Sequence, residues 1–171
     1  MNRTLICAAL LAATATTPAL AQSLSERLDA LDQRITRLED MHDIERLQRT
    51  YGYFVDKSQW TPLANLFSDD ATLEIGGTGL FLGKHRALEY MQTAFGQDGA
   101  KENSLANHMQ FQSIPDISAD GTTGWVRSRA YVMSSGGWGL PLYENEYRKE
   151  NGVWKISRLT GPLSPRRAIS P

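Results

Sequence analysis

Residues 44–74, IERLQRTYGYFVDKSQWTPLANLFSDDATLE, decide how this chain is read. Ile44, Leu47, Tyr51, Phe54 and Val55 recur in steps of three and four, which predicts one apolar face of a helix closing near Asp56. Thr61-Pro62 supplies a side-chain oxygen for an N-cap and a proline for the first helical position. A short second helix is therefore expected, with Leu63, Leu66 and Phe67 on its apolar side. Asp69-Asp70 end it, and Ala71 to Ile75 alternates as a strand does.

Downstream the pattern changes from helix to strand. Gly76 to Gly79 reads as a turn and Leu80 to Leu82 as a returning strand. Its context is strand-turn-strand, with no lysine-serine ending, so the glycines are not a phosphate loop. Gly83 opens a third helix with Ala87, Leu88, Met91, Ala94 and Phe95 on one face, and His85 is expected in solvent. Gly96 to Asn103 is loop-like. Leu105 to Ile117 reads as a long strand with Pro115 at a bend or edge. Asp120-Gly121 and Asn151-Gly152 are hairpin turns. Thr123 to Ser134, Leu142 to Lys149 and Val153 to Leu159 complete the strands, and Ser135 to Gly139 reads as a flexible connection. Three helices and then an antiparallel meander predict an α+β domain.

Upstream, residues 1–21 read as a secretory signal peptide: Arg3, an apolar run from Leu5 to Ala13, and an Ala19-Leu20-Ala21 cleavage site. The run is too short for a membrane span. An exported, periplasmic protein of 150 residues is expected, free of the membrane after cleavage. Loss of Arg3, the only charge in the signal, takes the net charge from −1 to −2. That balance argues against a nucleic-acid partner. The one cysteine, Cys7, leaves with the signal, which excludes disulfides, thiol nucleophiles and thiolate metal sites from the remainder. Within residues 22–42, Leu24, Leu28, Leu31, Ile35 and Leu38 step by four and three, a heptad seam of about two repeats. It reads either as an oligomerising helix or as a helix lying on its own domain, with the register shifting after His42.

The run Tyr-x-Tyr-x-x-Asp-x-x-x-Trp-x-x-Leu-x-x-Leu-Phe-x-x-Asp-Ala, residues 51–71, resembles the opening of SnoaL-like domains. These belong to the nuclear-transport-factor-two-like superfamily, with scytalone dehydratase and ketosteroid isomerase. The resemblance spans roughly residues 43–163 and leaves 164–171 as an irregular tail. It implies a cone-shaped barrel: a curved, mainly antiparallel sheet wrapped around the helices, with one deep pocket. It also implies a homo-oligomer, dimer or trimer, and no cofactor. Tyr-Gly-Tyr-x-x-Asp, His-Met-Gln-x-Gln and Tyr-Glu-Asn-Glu-Tyr are similar, further, to bacterial lyases of lignin-derived diarylpropanes.

Asp56, His108 and one of two tyrosines are candidates for chemistry. Asp56 stands at a helix C-terminus among Tyr53, Phe54, Val55 and Trp60, where the dipole and apolar neighbours both disfavour the anion. His108 lies mid-strand, and period two puts Gln110 and Gln112 on its face, which suits a polar-edged pocket or an exposed face. Tyr51 and Tyr53 could donate to a developing oxyanion. Tyr53 shares a helix face with Asp56, whereas Tyr51 lies about 140° away, and the resemblance favours Tyr51. It also implies a histidine on this strand paired to the helix aspartate. Phe54, Trp60 and Trp138 are candidate apolar walls. Gln110, Arg129 and Tyr131 are candidate polar lining, with Arg127 and the face of Tyr143, Asn145 and Tyr147 as weaker ones. The histidines at 42, 85 and 108 lack zinc spacing, so no metal site is expected, and no Ser-His-Asp elbow is present. The expected function is a cofactor-independent lyase, dehydratase or isomerase acting by acid–base proton transfer on a hydrophobic small molecule, aromatic or polycyclic. The alternative is an exported binding or assembly module of the same fold.

Overall fold

A computed structural model describes residues 17–75, 78–99, 107–134 and 137–161. The signal-peptide reading falls mostly on residues 1–16, and the tail on residues 164–171, all outside the described residues. So do parts of the loops at 76–77, 100–106 and 135–136. The helices are α1 (Thr17–Asp56), α2 (Trp60–Ala64) and α3 (Lys84–Phe95). The strands are β1 (Phe67–Ile75), β2 (Gly79–Leu82), β3 (Asn107–Ile117), β4 (Thr123–Ser134), β5 (Gly137–Gly139), β6 (Leu142–Glu150) and β7 (Val153–Gly161). No helix among the described residues is long and apolar enough to cross a membrane.

The chain divides into two packing units at Thr36/Arg37. In the first, Leu24, Leu28, Leu31 and Ile35 are each about half exposed. The second holds the whole sheet, in the order β2-β1-β7-β6-β4-β3 with β5 added to β4. Among the described residues, only β1 and β7 pair in parallel, and every other pair is antiparallel. The expected α+β class holds, as a curved, unclosed sheet. Pro115 lies on β3, an edge strand of this order, where a missing N–H costs no ladder bond.

One sheet face is buried and the other is not. Val126, Ser128 and Ala130 of β4 and Tyr143, Asn145 and Tyr147 of β6 are buried. Between them Trp125, Arg127, Arg129, Leu142 and Glu144 are exposed. The helices cover the buried face, and Ile44, Tyr51, Trp60, Leu63 and Phe67 join it in one core.

Several boundaries differ from the sequence reading. Helix α1 runs unbroken through His42. Helix α2 starts at Trp60, so Thr61 is inside it, and Asp98 accepts the Thr61 N–H at 3.0 Å. Leu66 and Phe67 are not helical. Phe67 begins β1 and pairs with Ile156, because a bulky residue 1% exposed fits the sheet core better than a helix end. Gly137 to Gly139 is strand β5, paired with β4 from Val132 to Ser134, not a free connection. The Asn151-Gly152 turn has both residues at positive φ, as a tight hairpin demands.

The pairing of β3 with β4 slips between Phe111 and Ile114, and Gln112 takes φ 51°. This bulge turns Gln112 to solvent and brings Ser113 to the inner face instead. The expected grouping of Gln112 with His108 and Gln110 therefore ends at Gln110.

Helix α1 lies directly on β3. A Cβ on Gly52 would stand 2.4 Å from the His108 carbonyl oxygen, closer than any real contact. The helix then ends in a Schellman motif: Gln59 N–H donates to Phe54 O at 2.9 Å and Ser58 N–H to Val55 O at 3.0 Å, with Ser58 at φ 51°. Two substitutions separate these effects. Gly52→Ala should lower stability by about 1–3 kcal/mol, although alanine is the better helix former. Ser58→Gly should raise it by roughly 0.5–1 kcal/mol by removing left-handed strain. Denaturant midpoints of the two variants against the wild type measure both.

Candidate functional site

The site forms where the last turns of α1 meet β3. Gln48, Gly52 and Asp56 stand four residues apart and so share one row of the helix surface. Gln48, 1% exposed, donates to Ser128 and accepts from Ser113 Oγ at 3.0 Å, and its Nε2 lies 3.4 Å from Gln110 Oε1. Gly52 admits the main chain of His108. Asp56, one turn further, reaches the same strand: the His108 main-chain amide partly stabilises its anion.

The Asp56 carboxyl is held above its ordinary value of 3.8, chiefly because burial disfavours the charge. The His108 amide and Lys57 oppose that rise without cancelling it. Its Oδ1 is buried and has no hydrogen-bond partner among the described residues. Most buried polar atoms are paired, so a carboxylate oxygen without a partner among the described residues departs from the rule.

His108 is flanked by aromatics. Its Nε2 lies 3.0 Å from the Tyr143 hydroxyl on β6. The rings of Tyr51 and Tyr143 meet it edge-on at centroid distances of 5.5 and 5.9 Å. Between His108 and Tyr143 runs β4, where Ala130 pairs with Gln110 and Ser128 with Tyr143. Those small residues let the phenol span the gap. Burial lowers the imidazole pKa to about 4, so His108 is neutral near pH 7. Burial also raises the phenols of Tyr51 and Tyr143, which stay protonated.

Of the expected residues, Tyr51 meets the His108 ring edge-on, and Asp56 lies by the His108 main chain. Their contacts differ from the simple pairing the resemblance implies, because Asp56 meets the His108 main chain while the imidazole bonds Tyr143. Tyr51 faces the sheet at 4% exposure and Tyr53 faces solvent at 70%. Phe54 packs on the edge of the core. Trp60 is buried, with Nε1–H on Gly96 O at 2.9 Å and its ring beside Phe95. Gln110 sits in the Gln48 and Ser128 network.

Arg129, Tyr131 and Trp138 lie on the opposite face of the sheet. Strand alternation puts them there: His108 pairs with Val132, and Tyr131 pairs with Met109. Tyr131 stacks on Trp138, centroids 6.2 Å apart. The weaker candidate Arg127 is on that face too, paired with Glu144 at 3.3 Å. Two clefts open elsewhere. One of about 820 Å³ lies by Thr72, Glu74, Leu80, Leu82 and Arg158. The other, about 420 Å³, lies by Ile114, Trp125, Arg127, Glu144 and Glu146. Among the described residues no three His, Cys, Asp or Glu side chains gather to hold a metal ion.

Reading the residues alone missed Gly52 and the role of Tyr143. A glycine inside a strong helical pattern was the available signal for the first. Tyr143 was visible only as one of three alternating polar residues, and which histidine it would meet depends on the strand order.

The SnoaL-like domain family matches residues 36–160, and the chain belongs to it. Hexachlorocyclohexane dehydrochlorinase 1 of Sphingobium indicum is 26% identical over 119 residues, 64% of this chain and 72% of that protein. Among solved structures, a scytalone dehydratase candidate from Novosphingobium aromaticivorans superposes with a TM-score of 0.63 at 21% identity, over 80% of this chain and 93% of that one. A type 2 hexachlorocyclohexane dehydrochlorinase gives a TM-score of 0.62 at 22% identity over the same shares. These likenesses show the fold alone, which is shared with solved proteins described as NTF2-like with a cystatin-like fold.

The two titrating groups oppose each other in pH. His108 resists its proton when folded, so its contribution is complete above the free value of 6.5 and is lost as pH falls toward about 4. That loss is up to roughly 3 kcal/mol. Asp56 prefers to be protonated when folded, so its contribution is complete below 3.8 and is lost as pH rises through its raised value. Asp56→Asn should therefore steepen the gain in stability between pH 4 and 6.5, and His108→Gln should flatten it. Urea midpoints of the wild type and both variants at half-unit pH steps check the signs.

Proposed function

We propose that this protein is a lyase that eliminates water or a similar small leaving group from a hydrophobic small molecule. The same groups could also shift a double bond as an isomerase does. The observation that carries this is the Asp56 Oδ1 atom, a buried carboxylate oxygen with no partner among the described residues, on a helix end that meets the main chain of His108, whose neutral imidazole bonds Tyr143. The relative named a dehydrochlorinase and the structural neighbour described as a dehydratase support the class. Both names denote reactions that remove H and X from adjacent carbons.

Asp56 takes a proton from carbon, and its raised pKa makes it a better base than an ordinary aspartate. The C–H electron pair becomes the new double bond. The C–X bond breaks, and the leaving group departs with its electrons. His108 and Tyr143 hold that group or protonate it. Tyr51, buried against the imidazole, donates to charge developing on the substrate. No step calls for a cofactor. We infer an exported enzyme from the N-terminal pattern of residues 1–21.

Deuterium placed at the abstracted position supplies the test, with a panel of cyclic and phenolic alcohols, ketones and chlorides. Wild type should turn over at least one member with a primary isotope effect. Asp56→Asn should lose about 10²–10⁴-fold in kcat, with His108→Ala and Tyr143→Phe losing less. Equal rates in wild type, Asp56→Asn and His108→Ala overturn the assignment.

A second reading has an observation of its own. The two clefts described above lie away from Asp56 and His108, and the rings of Tyr51 and Tyr143 pack edge-on against that of His108. A binding module would have that arrangement. Ligand uptake without turnover, unchanged in Asp56→Asn, favours it.

A further inference from the structure

We propose that residues 24–39 of α1 pair with the same segment of a second copy as a parallel, in-register, two-stranded coiled coil. The seam is Leu24, Leu28, Leu31, Ile35 and Leu38, whose side chains are 49–64% exposed. Five large apolar residues in one row on a helix surface are far more than chance exposure leaves there. Their spacing assigns Leu24, Leu31 and Leu38 to heptad position d, and Leu28 and Ile35 to position a. Leucine at every d with the β-branched Ile35 at a favours two strands.

The flanking charges choose the partner and its direction. Arg27 and Arg34 fall at g, and Asp32 and Glu39 fall at e. In a parallel pair each g residue meets the e residue five positions on in the other chain. Arg27 then faces Asp32 of the second copy, and Arg34 faces Glu39, on both sides of the seam. An antiparallel pair would set arginine against arginine and acid against acid. Within one chain these four are exposed, and none forms an ion pair among the described residues. The nearby Arg37 points off the seam and is taken by Asp116 at 2.9 Å.

The seam is only about two heptads, short for a free-standing coil. It belongs, however, to a helix that continues to Asp56. The costly nucleus of that helix need not be formed by the coil itself.

Cys7 is the only cysteine, so a Cys7→Ser chain is a clean background for single cysteines. In that full-length chain, Leu28→Cys and Ile35→Cys should each oxidise to a covalent dimer at least tenfold faster than Gln33→Cys, which lies on the outer face of the heptad. Sedimentation should show a dimer. Arg27→Glu with Arg34→Glu should weaken it about tenfold, and adding Asp32→Arg with Glu39→Arg should restore it. Mere loss of helix would not be rescued by that exchange. Equal oxidation at all three positions, a trimer, a monomer at tens of micromolar, or unchanged association after the arginine reversal would each overturn the proposal.

Discussion

The contact on which the candidate site depends is that between Gly52 and the carbonyl of His108. Two backbones meet there with no side chain between them, and any Cβ would sit 2.4 Å from the oxygen. Everything one turn either side follows from that closeness. Gln48 is low enough to reach Ser128 and Ser113, and Asp56 is low enough to reach the main chain of the same strand. Step the row back by fours and the pattern continues. Ile44 packs where a Cβ on Gly124 would clash. Asp40 accepts from Trp154 Nε1 at 2.8 Å and pairs with Lys149. From Asp40 to Asp56 one ridge of α1 crosses the sheet from β7 to β3.

That ridge reads Asp, Ile, Gln, Gly, Asp, and this explains what the residues alone could and could not tell. Hydrophobic periodicity finds Ile44, Leu47, Tyr51, Phe54 and Val55, which do pack on the core. It cannot find a seam in which four of five members are polar or glycine, because their burial is satisfied by particular partners rather than by apolar area. Gln48 at 1% exposure is legible only once Ser113 and Ser128 are known to lie opposite. Ser113, in turn, lies opposite only because the bulge at Gln112 shifts it inward. The strands and the Asn151-Gly152 hairpin were legible because turn chemistry is local. The split of Arg129, Tyr131 and Trp138 from His108 was not, since period two fixes faces within a strand and only pairing fixes them between strands.

Asp56 is the ridge position whose burial is least satisfied. It is the last helical residue, at the negative end of the dipole, partly desolvated and with one oxygen unpaired among the described residues. Asparagine there would avoid the buried charge. The neighbouring ridge positions show that the fold satisfies buried polar groups when it can: Gln48 uses both ends of its amide, and Asp40 has an indole and an ammonium. An orphan, among the described residues, in a row of satisfied partners is therefore a departure specific to one residue.

The imidazole makes the complementary case. Its Nε2 is engaged by Tyr143 and its ring is walled by two aromatics, so it is fixed in orientation and kept neutral by burial rather than by a carboxylate. A carboxylate bonded to the ring would stabilise imidazolium and raise the histidine pKa. The opposite shift places Asp56 and His108 in separate roles, one a raised acid with a free oxygen, the other a neutral imidazole tied to a phenol. Asp56 closes α1 and His108 lies on β3, so the elements that carry the two groups meet at the His108 main chain. How closely those elements approach is set by Gly52, where a Cβ would collide with the His108 carbonyl oxygen.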